Sequence, residues 1–249
     1  MIRVDTSVDR WLKLEGVDNV RDVGGLPVRG GGTTRPGVLL RSAALRGVTP
    51  ADLALLVDEF GLKLVLDLRS PTAVERDGPT PVAEAGVETL NLNFIGASRE
   101  VLPEAGDTTD PVIRNYLGYL ADHPENVVAG VRRLAAEDAG PTLVHCAAGK
   151  DRTGMLVAIV LDAVGVERDA VVADYALSAE QIPAIFKRLS ESTGMEIPDD
   201  LGPHTPRAET MVTVLDRLDA EHGGAVGWLQ ANGLTDDELA RLRRHLTSS

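Results

Sequence analysis

The chain has one cysteine in 249 residues. A lone thiol excludes an internal disulfide and offers no thiolate cluster for zinc, so a reducing compartment is the simplest setting. The five histidines are scattered without ligand spacing, and neither a metal nor an organic cofactor is expected. Positive charge is also scarce: 25 Lys and Arg stand against 38 Asp and Glu, a net charge of −13 at pH 7. That balance argues against nucleic acid as a partner and against broad adhesion to anionic membranes, while leaving room for a local basic mouth. Long apolar runs are missing too. The longest, Met155 to Leu161, falls far short of the ~20 residues that span a bilayer, and Met1-Ile2-Arg3-Val4-Asp5 lacks the apolar stretch of a secretory signal. The expectation is a soluble, cytoplasmic protein with no stable membrane insertion, although export by a route without a cleavable signal is compatible with the sequence. With 43% apolar residues and no linker, repeat or low-complexity tract, residues 1–249 read as a single domain.

What the chain does have is a strand, a tight loop and a helix around its cysteine. Thr142-Leu143-Val144 is short and β-rich, whereas Met155 to Leu161 has the length and composition of a buried helix. Between them runs His145-Cys146-Ala147-Ala148-Gly149-Lys150-Asp151-Arg152-Thr153-Gly154. Small residues at a helix N-terminus let successive N–H groups converge on one spot, and the helix dipole adds positive charge there. Such a spot suits a phosphate-sized anion, bound by the backbone of Ala147, Ala148 and Gly149 and by Lys150, Asp151 and Arg152. The same field lowers the pKa of Cys146 and makes it a nucleophile at neutral pH. Arg152 supplies a planar fork for two phosphate oxygens, which lysine cannot do. Thr153 is placed to donate to the sulfur as it leaves. For Cys146 alone, a small buried hydrophobe is the plain alternative; the spacing to Arg152, Thr153 and Gly154 weighs against it.

His145-Cys146-x5-Arg152-Thr153-Gly154 resembles the signature of the cysteine-dependent protein tyrosine phosphatases. The interior Ala148-Gly149-Lys150-Asp151-Arg152 is similar to one bacterial branch that includes dual protein and phosphoinositide phosphatases. Asn19-Val20-Arg21-Asp22-Val23-Gly24-Gly25, Leu40-Arg41-Ser42, Asp67-Leu68-Arg69-Ser70 with Glu75, and Asp174-Tyr175-x2-Ser178 resemble that branch's recurrent segments in the expected order. The resemblance implies an α/β fold with a mainly parallel central sheet flanked by helices and a helical insertion after the catalytic loop. It implies a phosphorylated protein or phosphoinositide as substrate, and a cysteinyl-phosphate intermediate. In that fold the strand ending at Asp67 neighbours the loop, so Asp67 becomes a candidate to orient Arg152 or a phosphate-bound water, with a turn-capping role as the alternative. Residues 178–222 become a candidate helical cover over the thiol, with plain core packing as the alternative.

Elsewhere, Val38 to Leu40, Leu62 to Leu68 and Val87 to Leu92 read as strands. Helices are predicted from Pro50 to Phe60 with Thr49 as cap, from Pro111, over Pro124–Asp138, Glu167–Leu177, Ser178–Ser192, Thr205–Glu221, Ala225–Asn232 and Thr235–Leu246. Arg21, Asp22, Arg41 and Ser42 sit where they could face the loop or form a surface ion-pair network. For the general acid, Asp107 and Asp110 lie at the distance at which many relatives carry an aspartate on a separate loop, but neither has that loop's Trp-Pro-Asp setting, and Asp110 reads better as the cap before Pro111. The branch with Lys-Asp-Arg in its loop places the acid there, which favours Asp151; a carboxylate that braces the loop is the alternative. A rhodanese-like or arsenate-reducing thiol enzyme and a phospho-ligand binding module are competing functions. The first would need further thiols for arsenate, and the second would be expected to lose Cys146 or Arg152.

Overall fold

Valine and leucine concentrate in three short runs, and each becomes a strand at the centre of one sheet. In the computed structural model, which describes residues 10–95 and 110–248, the chain begins with β1 (Arg21–Asp22), β2 (Thr33–Thr34), β3 (Leu39–Ser42), α1 (Pro50–Leu53) and β4 (Leu64–Asp67). It continues with α2 (Pro71–Asp77), α3 (Pro81–Glu84), β5 (Glu88–Asn91), α4 (Pro111–Asp122), α5 (Pro124–Leu134) and β6 (Thr142–His145). The described chain then runs through α6 (Asp151–Ala163), α7 (Arg168–Ala176), α8 (Ile182–Thr193), α9 (Ala208–His222), α10 (Gly224–Ala231), α11 (Asp236–Leu246) and β7 (Thr247–Ser248).

The main sheet has the order β1-β3-β6-β4-β5; β1 is antiparallel at one edge and the other pairings are parallel. Its inner strands are covered on both faces, as parallel strands require. Leu64, Leu66 and Val144 point into a large core under the later helices, while Val65, Leu143 and Leu40 point into a smaller one with Val17, Val20, Leu45 and Leu56. Alternation along each strand therefore feeds two cores from one sheet. Helix α6 lies in the larger core with Met155 through Leu161 all buried. Strand β6 sits between β3 and β4, so the residue after it emerges at the carboxyl end of the middle of the sheet, where open α/β sheets place ligands. That residue is Cys146.

Several boundaries differ from the sequence reading for local reasons. The helix expected over 50–60 starts at the anticipated Thr49 cap, which forms a capping box with Asp52, then widens into a π-type turn over Ala54–Glu59. The helix expected from Ser178 opens as a 3-10 turn over Leu177–Gln181, because Pro183 has no N–H for a preceding α-helical turn and sits at the start of α8 instead. Pro206 likewise delays α9 to Ala208.

Candidate active site

Strand β6 ends at His145, whose carbonyl accepts from Leu68 N–H at 2.9 Å, and the chain then turns through the loop into α6. Gly149 makes that turn at φ 67°, and a β-carbon there would stand 2.2 Å from Ser42 O, so only glycine lets the loop lie against the end of β3. Among the described residues, no N–H group from Ala147 to Arg152 donates to a protein acceptor. These amides, at the N-terminus of a 13-residue helix, are suited to an anion.

Cys146 is 1% exposed. Burial pushes its thiol up, but Arg152, the Thr153 hydroxyl and the Thr153 N–H more than offset that, and the net shift is downward. The Thr153 hydroxyl is fully buried and has no strictly aligned hydrogen bond, so the sulfur is the group it serves. Arg152 donates from Nη1 to Leu68 O at 3.1 Å, which places its guanidinium beside the loop. His145, also buried, donates from Nδ1 to Cys146 O at 3.1 Å; its pKa is lowered, first by burial and then by Arg69 and Arg152.

Asp67 does not orient Arg152. Both of its oxygens are taken by Arg69, from Nε at 3.0 and 3.1 Å and from Nη2 at 2.8 Å, and Arg69 N–H adds a bond at 3.0 Å. The turn from β4 brings that arginine back onto its own strand end, which is closer than Arg152. What Asp67 adds to the loop passes through His145, whose Nε2 lies 3.7 Å from Asp67 Oδ2.

Asp151 stands at the first turn of α6, where Oδ1 accepts from Tyr116 Oη at 2.6 Å and lies 2.9 Å from Lys150 Nζ. Because Tyr116 spends its one proton on Asp151, Tyr175 is the donor in the 2.8 Å contact between the two phenols. Both phenols are held protonated, chiefly by burial and then, for Tyr116, by the charge of Asp151. The sequence does not single out Tyr116, and no local signal announces its hydroxyl contact. Gly154 permits Tyr175 to approach, since a β-carbon there would meet the ring at 2.9 Å. Asp110 caps α4 by accepting from Val112 N–H at 2.8 Å and pairs with Arg207 at 3.0 Å, whereas Asp107 lies outside the described residues.

A groove of about 390 Å³ opens on the loop between Ala43, Ala44, Ala147, Ala148 and the α8 residues Ile185 and Leu189. Helix α8 is tied across it by Arg188, which donates to Asp18 at 2.6 and 3.1 Å. A second cavity of about 260 Å³ adjoins Lys150, Tyr116, Tyr175 and Arg207. Of the candidate cover over 178–222, α8 and residues 202–207 flank the loop, but α9 buries Met211, Val214, Leu215 and Leu218 in the main core.

Residues 12–248 match the model of the tyrosine phosphatase family. The chain belongs to that family. It is 28% identical over 277 residues to the triple specificity protein phosphatase PtpB of Mycobacterium tuberculosis, covering 93% of this chain and 97% of the relative. It is 30% identical over 244 residues to a tyrosine-protein phosphatase of Nostoc commune, covering 85% of this chain and 80% of the relative. In this tyrosine phosphatase the buried charges near the loop are not a surface network: Arg21 and Arg41 are fully buried, and both meet Asp174. Burial alone would raise the Asp174 carboxyl, yet Arg21, Arg41 and Arg10 together hold it well below the usual carboxylate range. Burial and then the like charge of Arg41 lower the Arg21 guanidinium to about 9. No described helix is long and apolar enough to cross a membrane.

Proposed function

We propose that the protein hydrolyses phosphomonoesters in two steps, with phosphotyrosine in proteins as the main substrate and phosphoserine and phosphothreonine as further ones. The observation that carries the proposal is a buried thiol of lowered pKa at the base of a ring of unengaged N–H groups, with Arg152 beside it. In the first step Cys146 Sγ bonds to phosphorus as the bond to the ester oxygen breaks, and that oxygen leaves with the proton of Asp151. In the second, water attacks phosphorus, Asp151 takes its proton, and the sulfur leaves as a thiolate with the Thr153 hydroxyl to receive its charge. The N–H groups and the Arg152 fork hold the equatorial oxygens throughout, most tightly as charge shifts in transfer. The mycobacterial relative is a triple specificity protein phosphatase by name, which speaks for breadth of substrate. A cytoplasmic setting belongs to the same proposal, since a thiolate is oxidised more readily than a thiol and a reducing compartment protects it.

One observation favours a second reading, a phosphoinositide phosphatase. Lys150 and Arg207 both line the cavity beside the loop, where a further phosphate on a ring would find two cations. Phosphate release from phosphotyrosine, phosphoserine and phosphothreonine peptides alongside short-chain phosphoinositides separates the two. The main reading expects the phosphotyrosine peptide to be turned over fastest; a phosphoinositide in first place selects the second, and no release from any of them contradicts both.

A further inference from the structure

The loop owes its shape to donors outside it. Three consecutive carbonyls are turned away from the concave face, and each meets a donor near β1 and β3. Ala147 O accepts from Ala44 N–H, Ala148 O from Asn19 Nδ2 and Gly149 O from Arg41 Nη2, each at 3.0 Å. A trans peptide unit is planar, with its C=O and N–H pointing in opposite directions. Pinning these three carbonyls outward therefore turns the N–H groups of Ala148, Gly149 and Lys150 inward.

Two of the three donors are side chains, and both belong to one buried cluster. Arg41 Nη1 donates to Asp174 Oδ2 at 2.6 Å. Asp174 Oδ1 also receives Arg10 at 2.8 Å and Arg21 at 3.3 Å. Arg21 in turn donates to Asn19 Oδ1, to Asp174 O at 2.7 Å and to Ser178 Oγ at 3.0 Å. Asn19 is the only non-glycine residue of positive φ among those described, at 58°, and it is 1% exposed. A strained backbone persists where its surroundings over-determine it. Here the strain aims Nδ2 at the loop. The cluster also sets three guanidinium groups against one carboxylate, away from water, which is a poor arrangement for stability alone. An oxyanion in the adjoining loop would meet that excess of positive charge.

We propose that Asn19 and Arg41, both anchored through Asp174, are positioning residues that hold the loop's N–H groups on the phosphate, and that the cluster's excess positive charge strengthens the grip. The inference rests on the reading of the loop as a phosphate cradle. Its test compares the wild-type protein with Asn19→Gly and Arg41→Lys in tungstate affinity by calorimetry, in kcat and KM for a phosphotyrosine peptide, and in thermal midpoint. Glycine adopts φ 58° without strain, so Asn19→Gly deletes the donor while sparing the backbone. Its midpoint is expected to drop modestly, because Arg21 loses the Asn19 Oδ1 acceptor, but the protein stays folded at the assay temperature, where kcat falls about 10- to 100-fold, KM changes little and tungstate binding weakens. Arg41→Lys keeps the charge but cannot reach Asp174 and Gly149 O together, and the same pattern is expected. Unchanged tungstate affinity and kcat in Asn19→Gly, with a wild-type protein that binds tungstate, overturns the brace and leaves the phosphatase reading standing. Activity lost only in step with unfolding in both variants also overturns the brace. A wild-type protein that fails to bind tungstate overturns the cradle itself.

Discussion

Arg152 and Asp151 are adjacent in the chain but are held by different partners, and this separates their expected effects. Among the described residues, Arg152 donates to the frame at Leu68 O alone. Arg152→Lys keeps the charge and loses the planar fork, so kcat should fall about 10²–10³-fold with little change in thermal stability. A steady-state rate near that of the wild type would mean that the loop grips phosphate without a bidentate arginine. Asp151 is held by Tyr116 and Lys150, a geometry that serves an acid and a brace equally well. The two roles part on the leaving group. If Asp151 donates the proton, Asp151→Asn slows esters of poor leaving groups by about 10²–10⁴-fold, spares those of good ones, and removes the basic limb of the pH–rate profile. Uniform slowing across an aryl phosphate series would assign it the bracing role.

At the scale of elements, caps decide where helices start, and this part of the fold was the most legible in the sequence. Thr49-Pro50, Asp110-Pro111 and Thr235 each open a helix through a side-chain cap, two of them as full capping boxes. Thr235→Ala is expected to cost about 1 kcal/mol in urea denaturation while leaving kcat unchanged, because α11 lies away from the loop. Ser70-Pro71 and Thr80-Pro81 carry the same signal, but they open helices of seven and four residues, too short to show an apolar period. The two-residue pairing of Thr33–Thr34 with Thr247–Ser248 spans nearly the whole chain and has no local signature. Within the site, the Cys146-to-Gly154 spacing pointed directly to the loop between β6 and α6, whose N–H groups are unengaged among the described residues. The partners of that loop were harder to read, because charged residues are usually exposed and nothing local reveals that Arg21, Arg41 and Asp174 are buried together. For Asp67 the sequence left two roles open, and the turn-capping one fits the structure, because Arg69, two residues away, claims both of its oxygens.

For the whole molecule, these buried groups give stability a direction with pH. His145 has a pKa below its ordinary 6.5 when folded, so the unfolded chain binds the extra proton first, and stability falls as pH drops below about 6.5. Asp174 and Asp67 have carboxyls lowered from 3.8, so their contribution is present above that value and is lost as pH falls below it. Both effects have the same sign. The urea midpoint should therefore decline gently from pH 7 to 5 and steeply below about 4, and His145→Gln should flatten the first part alone. A midpoint that rises on acidification across that range would contradict the burial of a neutral His145.

The central claim is that Cys146 carries the phosphoryl group between two steps, and the most direct measurement is to trap it there. Wild-type protein mixed with a phosphotyrosine peptide and quenched in acid within a turnover should yield, on peptide mapping by mass spectrometry, one phosphoryl group on the fragment that contains Cys146. Cys146→Ser should show neither the adduct nor turnover while still binding tungstate, because the N–H cradle survives and a serine hydroxyl is hardly ionised at neutral pH. Turnover retained by Cys146→Ser, or a phosphoryl group found on any other residue, would contradict the account.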